Sequence, residues 1–179
     1  MKHFPKSIFI VLLVLILLIA VTVYPHFQNI APTQEKLNEL VAGELSYDRE
    51  ISTLSYLAQQ EKDGEVFVWY VLQSRIDADY RSYFIAKCQA LSGGKYQLKD
   101  IFTPQTYAKD ILSVVWKTDY VLFVNNPDCR SIVQSDSNGS IIRQIDLSSE
   151  SYPYLYYNDS PLSVATITRF LDAEGNEIS

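Results

Sequence analysis

The side chains best suited to chemistry are sparse in this 179-residue chain. Its two histidines, His3 and His26, both lie near the N-terminus, ahead of any segment patterned like a folded domain. A Ser-His-Asp triad, a Cys-His dyad or a His-rich metal site in the body of the chain is thereby excluded, and catalysis there has to use carboxylates, lysine or serine. Ser92-Gly93-Gly94-Lys95 matches the S-x-x-K string in which a lysine activates a serine nucleophile. That chemistry places the serine at a helix start, whereas two glycines predict a hairpin turn, and no S-D-N or K-T-G follows. Asp77-Ala78-Asp79 and Asp136-Ser137-Asn138-Gly139 offer oxygens to Ca²⁺, but neither completes an EF-hand loop, and turn carboxylates facing water explain both. A carboxylate-dependent hydrolase stays open, since sequence spacing does not fix the distance between two carboxylates across a cleft. No catalytic, metal or cofactor-binding residue is assigned, and no cofactor is expected.

Two further residue types carry information. Cys88 and Cys129 form an even pair, which in an oxidising compartment reads first as a disulfide. Closing a loop of about 41 residues would stabilise the fold by roughly 4 kcal/mol in the chain-entropy model. The alternative is two buried thiols. Among the 13 tyrosines, Tyr152, Tyr154, Tyr156 and Tyr157 cluster in the run Tyr152-Pro153-Tyr154-Leu155-Tyr156-Tyr157. Large rigid rings with polar tips suit a protein interface or stacking on sugar rings, which makes this run the candidate binding surface. The competing reading is a strand whose tyrosines cover the core and point their hydroxyls outward, with Pro153 marking a sheet edge.

The element that decides where these residues go is Ile8 to Tyr24, IFIVLLVLILLIAVTVY, which carries no charge. Its aliphatic and aromatic residues each favour a membrane-helix centre by roughly 0.3 to 0.6 kcal/mol, and the stretch is about 25 Å long as a helix. It can span a hydrocarbon core of about 30 Å with Lys6 and Tyr24 at the interfaces. A cleaved secretory signal is the competing reading, but no small-x-small pair follows the run. Lys2 and Lys6 precede the segment, and Lys36 alone follows closely, so the short end stays inside. The expected layout is a cytoplasmic tail at 1–7, a transmembrane signal anchor at 8–24, a stalk at 25–32 and an extracytoplasmic domain at 33–179, periplasmic or on the cell surface. Beyond the anchor, acidic residues outnumber basic ones, which argues against nucleic-acid partners.

Within 33–179 the pattern predicts a mainly β fold of antiparallel hairpins with one short amphipathic helix. Thr33 is placed as an N-cap, with Leu37, Leu40 and Val41 on one face and Gly43 just past the end. Ile51 to Ala58 and Glu65 to Gln73 flank an Asp63-Gly64 turn, although the first run also fits a helical period. Ser82 to Leu91 and Tyr96 to Ile101 flank Gly93-Gly94, and Pro104 to Asp110 interrupts. Ile111 to Trp116 and Tyr120 to Val124 then form a hairpin, as do Cys129 to Gln134 and Ser140 to Leu147 around Asp136 to Gly139. Ala165 to Leu171 precedes Asp172-Ala173-Glu174-Gly175. The shared D-x-x-G-x-x-I spacing of Asp136/Gly139/Ile142 and Asp172/Gly175/Ile178 is read as two hairpins with one turn chemistry rather than as a repeat.

At Trp116-Lys117-Thr118-Asp119-Tyr120-Val121-Leu122-Phe123-Val124-Asn125 the chain resembles small bacterial single-pass membrane proteins of unknown function, in which such a hairpin closes a small β domain. The resemblance covers residues 65 to 134. It implies a membrane-tethered extracytoplasmic β domain and brings no catalytic residue. The expectation for function is a membrane-anchored, non-catalytic binding or assembly module of the bacterial cell envelope with a protein or glycan partner. A carboxylate hydrolase and an accessory subunit of a larger membrane complex are the alternatives.

Overall fold

The computed structural model describes residues 14–15, 29–117, 119–158 and 166–179. The tail 1–7, most of the anchor 8–24 and the stalk up to residue 28 lie outside the described residues; of the anchor, only Val14 and Leu15 are described, and both are helical. Among the described residues no helix is long and apolar enough to cross a membrane. The chain divides into two compact units, Met1–Phe102 and Thr103–Ser179. Both are built mainly of antiparallel strands.

The first unit holds β1 (Ile30–Ala31), α1 (Gln34–Leu45), β2 (Ser52–Lys62), β3 (Glu65–Ser74), β4 (Arg81–Leu91) and β5 (Lys95–Phe102), with the sheet ordered β1-β5-β4-β3-β2. Residues 30–31, expected in the stalk, instead pair with Gln97 and Tyr96 as an edge strand. Asp63 and Gly64, both at positive φ, make the β2–β3 turn and settle the helix-or-strand ambiguity of residues 51–58 in favour of strand. Thr33 caps α1 by accepting from the Lys36 amide at 3.3 Å. The helix runs past Gly43 to Leu45, ending at Ser46 in the left-handed region, because Leu37, Val41 and Leu45 continue one apolar face onto the sheet.

Alternation along β3 shows why its sequence is apolar at nearly every position. Val66, Val68 and Tyr70 pack with Ala86, Cys88, Leu98, Leu37 and Val41 in one core cluster, while Phe67, Trp69 and Val71 are buried on the other face. A strand buried on both faces loses the polar half of its alternation. One polar group is kept on the helix side. The buried Tyr70 hydroxyl donates to Asn38 Oδ1 at 2.8 Å and accepts from Gln34 Nε2 at 3.2 Å, fixing α1 against the sheet. Tyr70→Phe should cost about 1 kcal/mol, read from the urea midpoint of the full chain. An unchanged midpoint would mean that these bonds do not hold the helix in place.

The second unit holds β6 (Gln105–Ala108), β7 (Ile111–Trp116), β8 (Asp119–Val124), β9 (Ser131–Ser135), β10 (Ile141–Asp146), β11 (Tyr154–Asn158) and β12 (Ile167–Leu171). They form a four-stranded sheet, β11-β8-β7-β6, and a three-stranded sheet, β10-β9-β12. Ile111, Tyr120, Leu122 and Val124 from the first sheet pack with Ile132 and Phe170 from the second, joined by Cys129 and Leu147. The segment read as an interruption, residues 104–110, contains β6, whose short exposed edge has no apolar alternation to betray it.

Cys88 and Cys129 are not bonded to each other. Both are buried free thiols, each packed in the core cluster of its own unit, and the disulfide reading gives way to that of buried thiols. Burial pushes the Cys88 thiol up to about 12 and the Cys129 thiol up to about 11, since a thiolate would have to form in apolar surroundings.

Candidate functional site

The tyrosine run forms an edge strand with its rings divided between the two faces. In register with β8, Tyr154 lies opposite Val124 and Tyr156 opposite Leu122 on the core side, while Tyr157 lies opposite Val121 on the other side. Tyr152, Tyr154 and Tyr156 pack against the core of the unit, and all four rings are half-buried. Three of the four hydroxyls are engaged as well. Tyr152 donates to the Cys129 carbonyl, Tyr157 donates to Asp119 Oδ2, and Tyr156 accepts from Arg143 Nη1. The sequence brought the four tyrosines together in one strand, but the pleat separates them, so they do not present one continuous aromatic face.

The other sequence candidates fall into turns. Gly93 and Gly94 take positive φ at the tip of the β4–β5 hairpin, leaving Ser92 and Lys95 exposed on its flanks. Asp77 Oδ1 accepts the Asp79 amide in a turn of its own. Asp136 and Asp172 perform the same task in two hairpins: each Oδ1 accepts the amides two and four residues on, from Asn138 and Ser140 and from Glu174 and Asn176 respectively. With the Gly139 and Gly175 amides donating to the Asp136 and Asp172 carbonyls, that shared geometry accounts for the D-x-x-G part of the spacing. Among the described residues no group of three or more His, Cys, Asp and Glu is placed to hold a metal ion.

A different constellation appears on the three-stranded sheet, on the face turned away from the core of the unit. Register places Asp146, Ser131 and Leu171 side by side across β10, β9 and β12, with Gln144, Val133 and Arg169 in the next row. At the Asp146 end an open groove of about 560 Å³ is lined by Arg130, Ser131, Gln144, Asp146, Ser148 and Asp172. Its backbone is fixed from both sides. Arg130 N–H donates to Leu171 O and Leu147 N–H donates to Arg130 O, each at 2.8 Å, which ties both edge strands to the start of β9.

Both aspartates of the groove are bonded within their own turns. The Ser148 hydroxyl and amide hold the Asp146 carboxyl below the usual carboxylate range, and the Asn176 side chain and backbone do the same for Asp172. Both carboxylates are therefore ionised at neutral pH. Arg130 also lines the groove, and its positive charge acts on the Cys129 thiol and the Tyr152 hydroxyl. In the adjoining row Arg169 Nε is buried without a hydrogen-bond partner among the described residues. Sequence reasoning missed this site because its residues come from three strand ends. The only local trace was the pair of turn aspartates, Asp146 before Ser148 and Asp172 before Gly175. Compared with protein-family models, with curated proteins and with solved structures, the chain matches none.

Proposed function

We propose that this chain is a membrane-anchored binding module of the cell envelope, held by residues 8–24 with its bulk on the extracytoplasmic side, and that the groove at Arg130 is its working surface. The observation that supports the reading is an open groove of about 560 Å³ where the ends of β9, β10 and β12 meet, lined by Arg130 and by two aspartates whose carboxyls are held below the usual range. Carboxylates held in the ionised form suit recognition of a cation. They do not suit a hydrolase, whose general acid needs a raised pKa to stay protonated near neutrality.

The test uses the full chain in its own membranes. Protease added outside spheroplasts should remove residues beyond the anchor, and protection of those residues would overturn the orientation. A photocrosslinking amino acid at Gln144, on the groove floor, should give a discrete adduct that is lost in Arg130→Gln. Absence of any adduct at Gln144, or an adduct indifferent to Arg130, would overturn the assignment of the groove as the binding surface.

A further inference from the structure

The connection between β3 and β4, residues 75–80, is exposed at every position and carries large apolar side chains outward. Ile76 is 79% exposed and Tyr80 61%, and Ile51, whose carbonyl accepts the Arg75 amide at 2.8 Å, is exposed as well. The loop is held in shape from within. Ser74 Oγ accepts the Ile76 and Asp77 amides, Asp77 Oδ1 accepts the Asp79 amide, and the Tyr80 amide donates to Asp77 O. With these amides paired, the loop can enter a less polar medium without stranding them.

Strand direction says what lies at this end of the sheet. Ile30 and Ala31 pair antiparallel with Gln97 and Tyr96, and Asn29 O accepts the Leu98 amide, so the chain enters β1 from the side of Phe102. Phe102 pairs with Ile85, and β4 begins beyond it at Arg81, next to the loop. Measured along β5 and then β4, the loop lies nine residues from the level of Ile30, about 30 Å at about 3.3 Å each. From Tyr24, the last residue of the anchor, to Ile30 the chain reaches at most about 22 Å. A sheet tethered that closely, with its loop pointing back along the tether, brings Ile76 and Tyr80 to the bilayer.

We infer that this loop inserts into the extracytoplasmic surface of the membrane that holds the anchor, an inference that rests on the anchor reading above. Ile76 enters the boundary between headgroups and acyl chains, and Tyr80 stands at headgroup level, where its ring is buried and its hydroxyl stays wet. Arg75 and Arg81 are balanced by Asp77 and Asp79, so the attraction is apolar and does not select anionic lipid.

The full chain reconstituted in phosphatidylcholine vesicles tests this, with a bimane fluorophore on Ala78→Cys in the loop or on Ser92→Cys at the opposite end of β4. Cys88 and Cys129 are buried, and the chain without an added cysteine supplies the blank. Lipid with a nitroxide near the headgroup should quench the label at 78 at least about twofold more than the label at 92, with or without added phosphatidylglycerol. Ile76→Ser with Tyr80→Ser should bring position 78 down to the level of position 92, and both side chains are exposed enough for that variant to keep its fold. Equal quenching at the two positions, quenching that survives the double substitution, or quenching that needs anionic lipid overturns the inference. Flotation of the chain with its vesicles in urea reads the anchor separately, because a membrane helix stays inserted when the domain unfolds. A chain left behind removes the anchor reading and this inference with it; a chain that floats with its loop unquenched removes this inference alone.

Discussion

Trp69→Ala should lower the unfolding free energy of the full chain by about 3 to 5 kcal/mol, the range for truncating a large aromatic in a packed core. Trp69 is fully buried in β3, between Ala58 and Ile85 in the neighbouring strands, so alanine leaves a space that the paired backbones cannot collapse to fill. Against a typical total of about 5 to 15 kcal/mol, such a loss approaches unfolding at ordinary temperature. Ile76→Ala is the matched control. At 79% exposed, Ile76 should change stability by less than about 0.5 kcal/mol. Chemical denaturation followed by circular dichroism measures both, since the substitution removes a fluorescent probe. Equal effects at the two positions would mean that β3 is not the packed centre of its sheet.

The second large effect is loss of stability in alkali. The Cys88 and Cys129 thiols are raised from 9.0 to about 12 and about 11 in the folded chain, with desolvation as the main cause. Burial likewise pushes the Tyr70 and Tyr120 hydroxyls upward. Because the folded state holds these protons more tightly than the unfolded state, the stabilisation is fully present below pH 9. It declines as pH rises through the range from 9 to 12, at about 1.4 kcal/mol per pH unit for each thiol in its window. The urea midpoint should therefore be flat between pH 7 and 8.5 and fall steeply by pH 10.5. Cys88→Ala with Cys129→Ala should flatten that fall by the thiols' share, leaving the tyrosine contribution. In the same samples, a thiol reagent at pH 8 should find both cysteines slow in the folded chain and both fast in urea. A steep fall unchanged by the double substitution would assign the alkaline transition to other groups.

Local signals were strong wherever a turn or a cap fixed the backbone. Asp63-Gly64, Gly93-Gly94 and Asp136 to Gly139 each produced the expected hairpin, because positive φ at glycine and a side-chain oxygen on following amides are decided within four or five residues. Thr33 capped its helix for the same reason. The far end of that helix was misplaced, since helix propensity at Gly43 was outweighed by the packing of Leu45 on a sheet that lies elsewhere in sequence. β6 was missed because a short, exposed edge strand buries too little to leave a pattern.

The amino-acid sequence by itself determined the mainly antiparallel β class, most of the hairpins and the unbroken apolar stretch at Ile8 to Tyr24, all of which depend on short-range chemistry. Tertiary structure alone decided which residues meet. It placed Cys88 and Cys129 in the cores of separate units, split the tyrosines of β11 between two faces, and brought Arg130, Asp146 and Asp172 into one groove from the ends of three strands. Such convergence depends on strand order and register. A shift of one residue in register would turn each of these side chains to the opposite face, and register is set by the packing of a whole sheet rather than by any local run of residues.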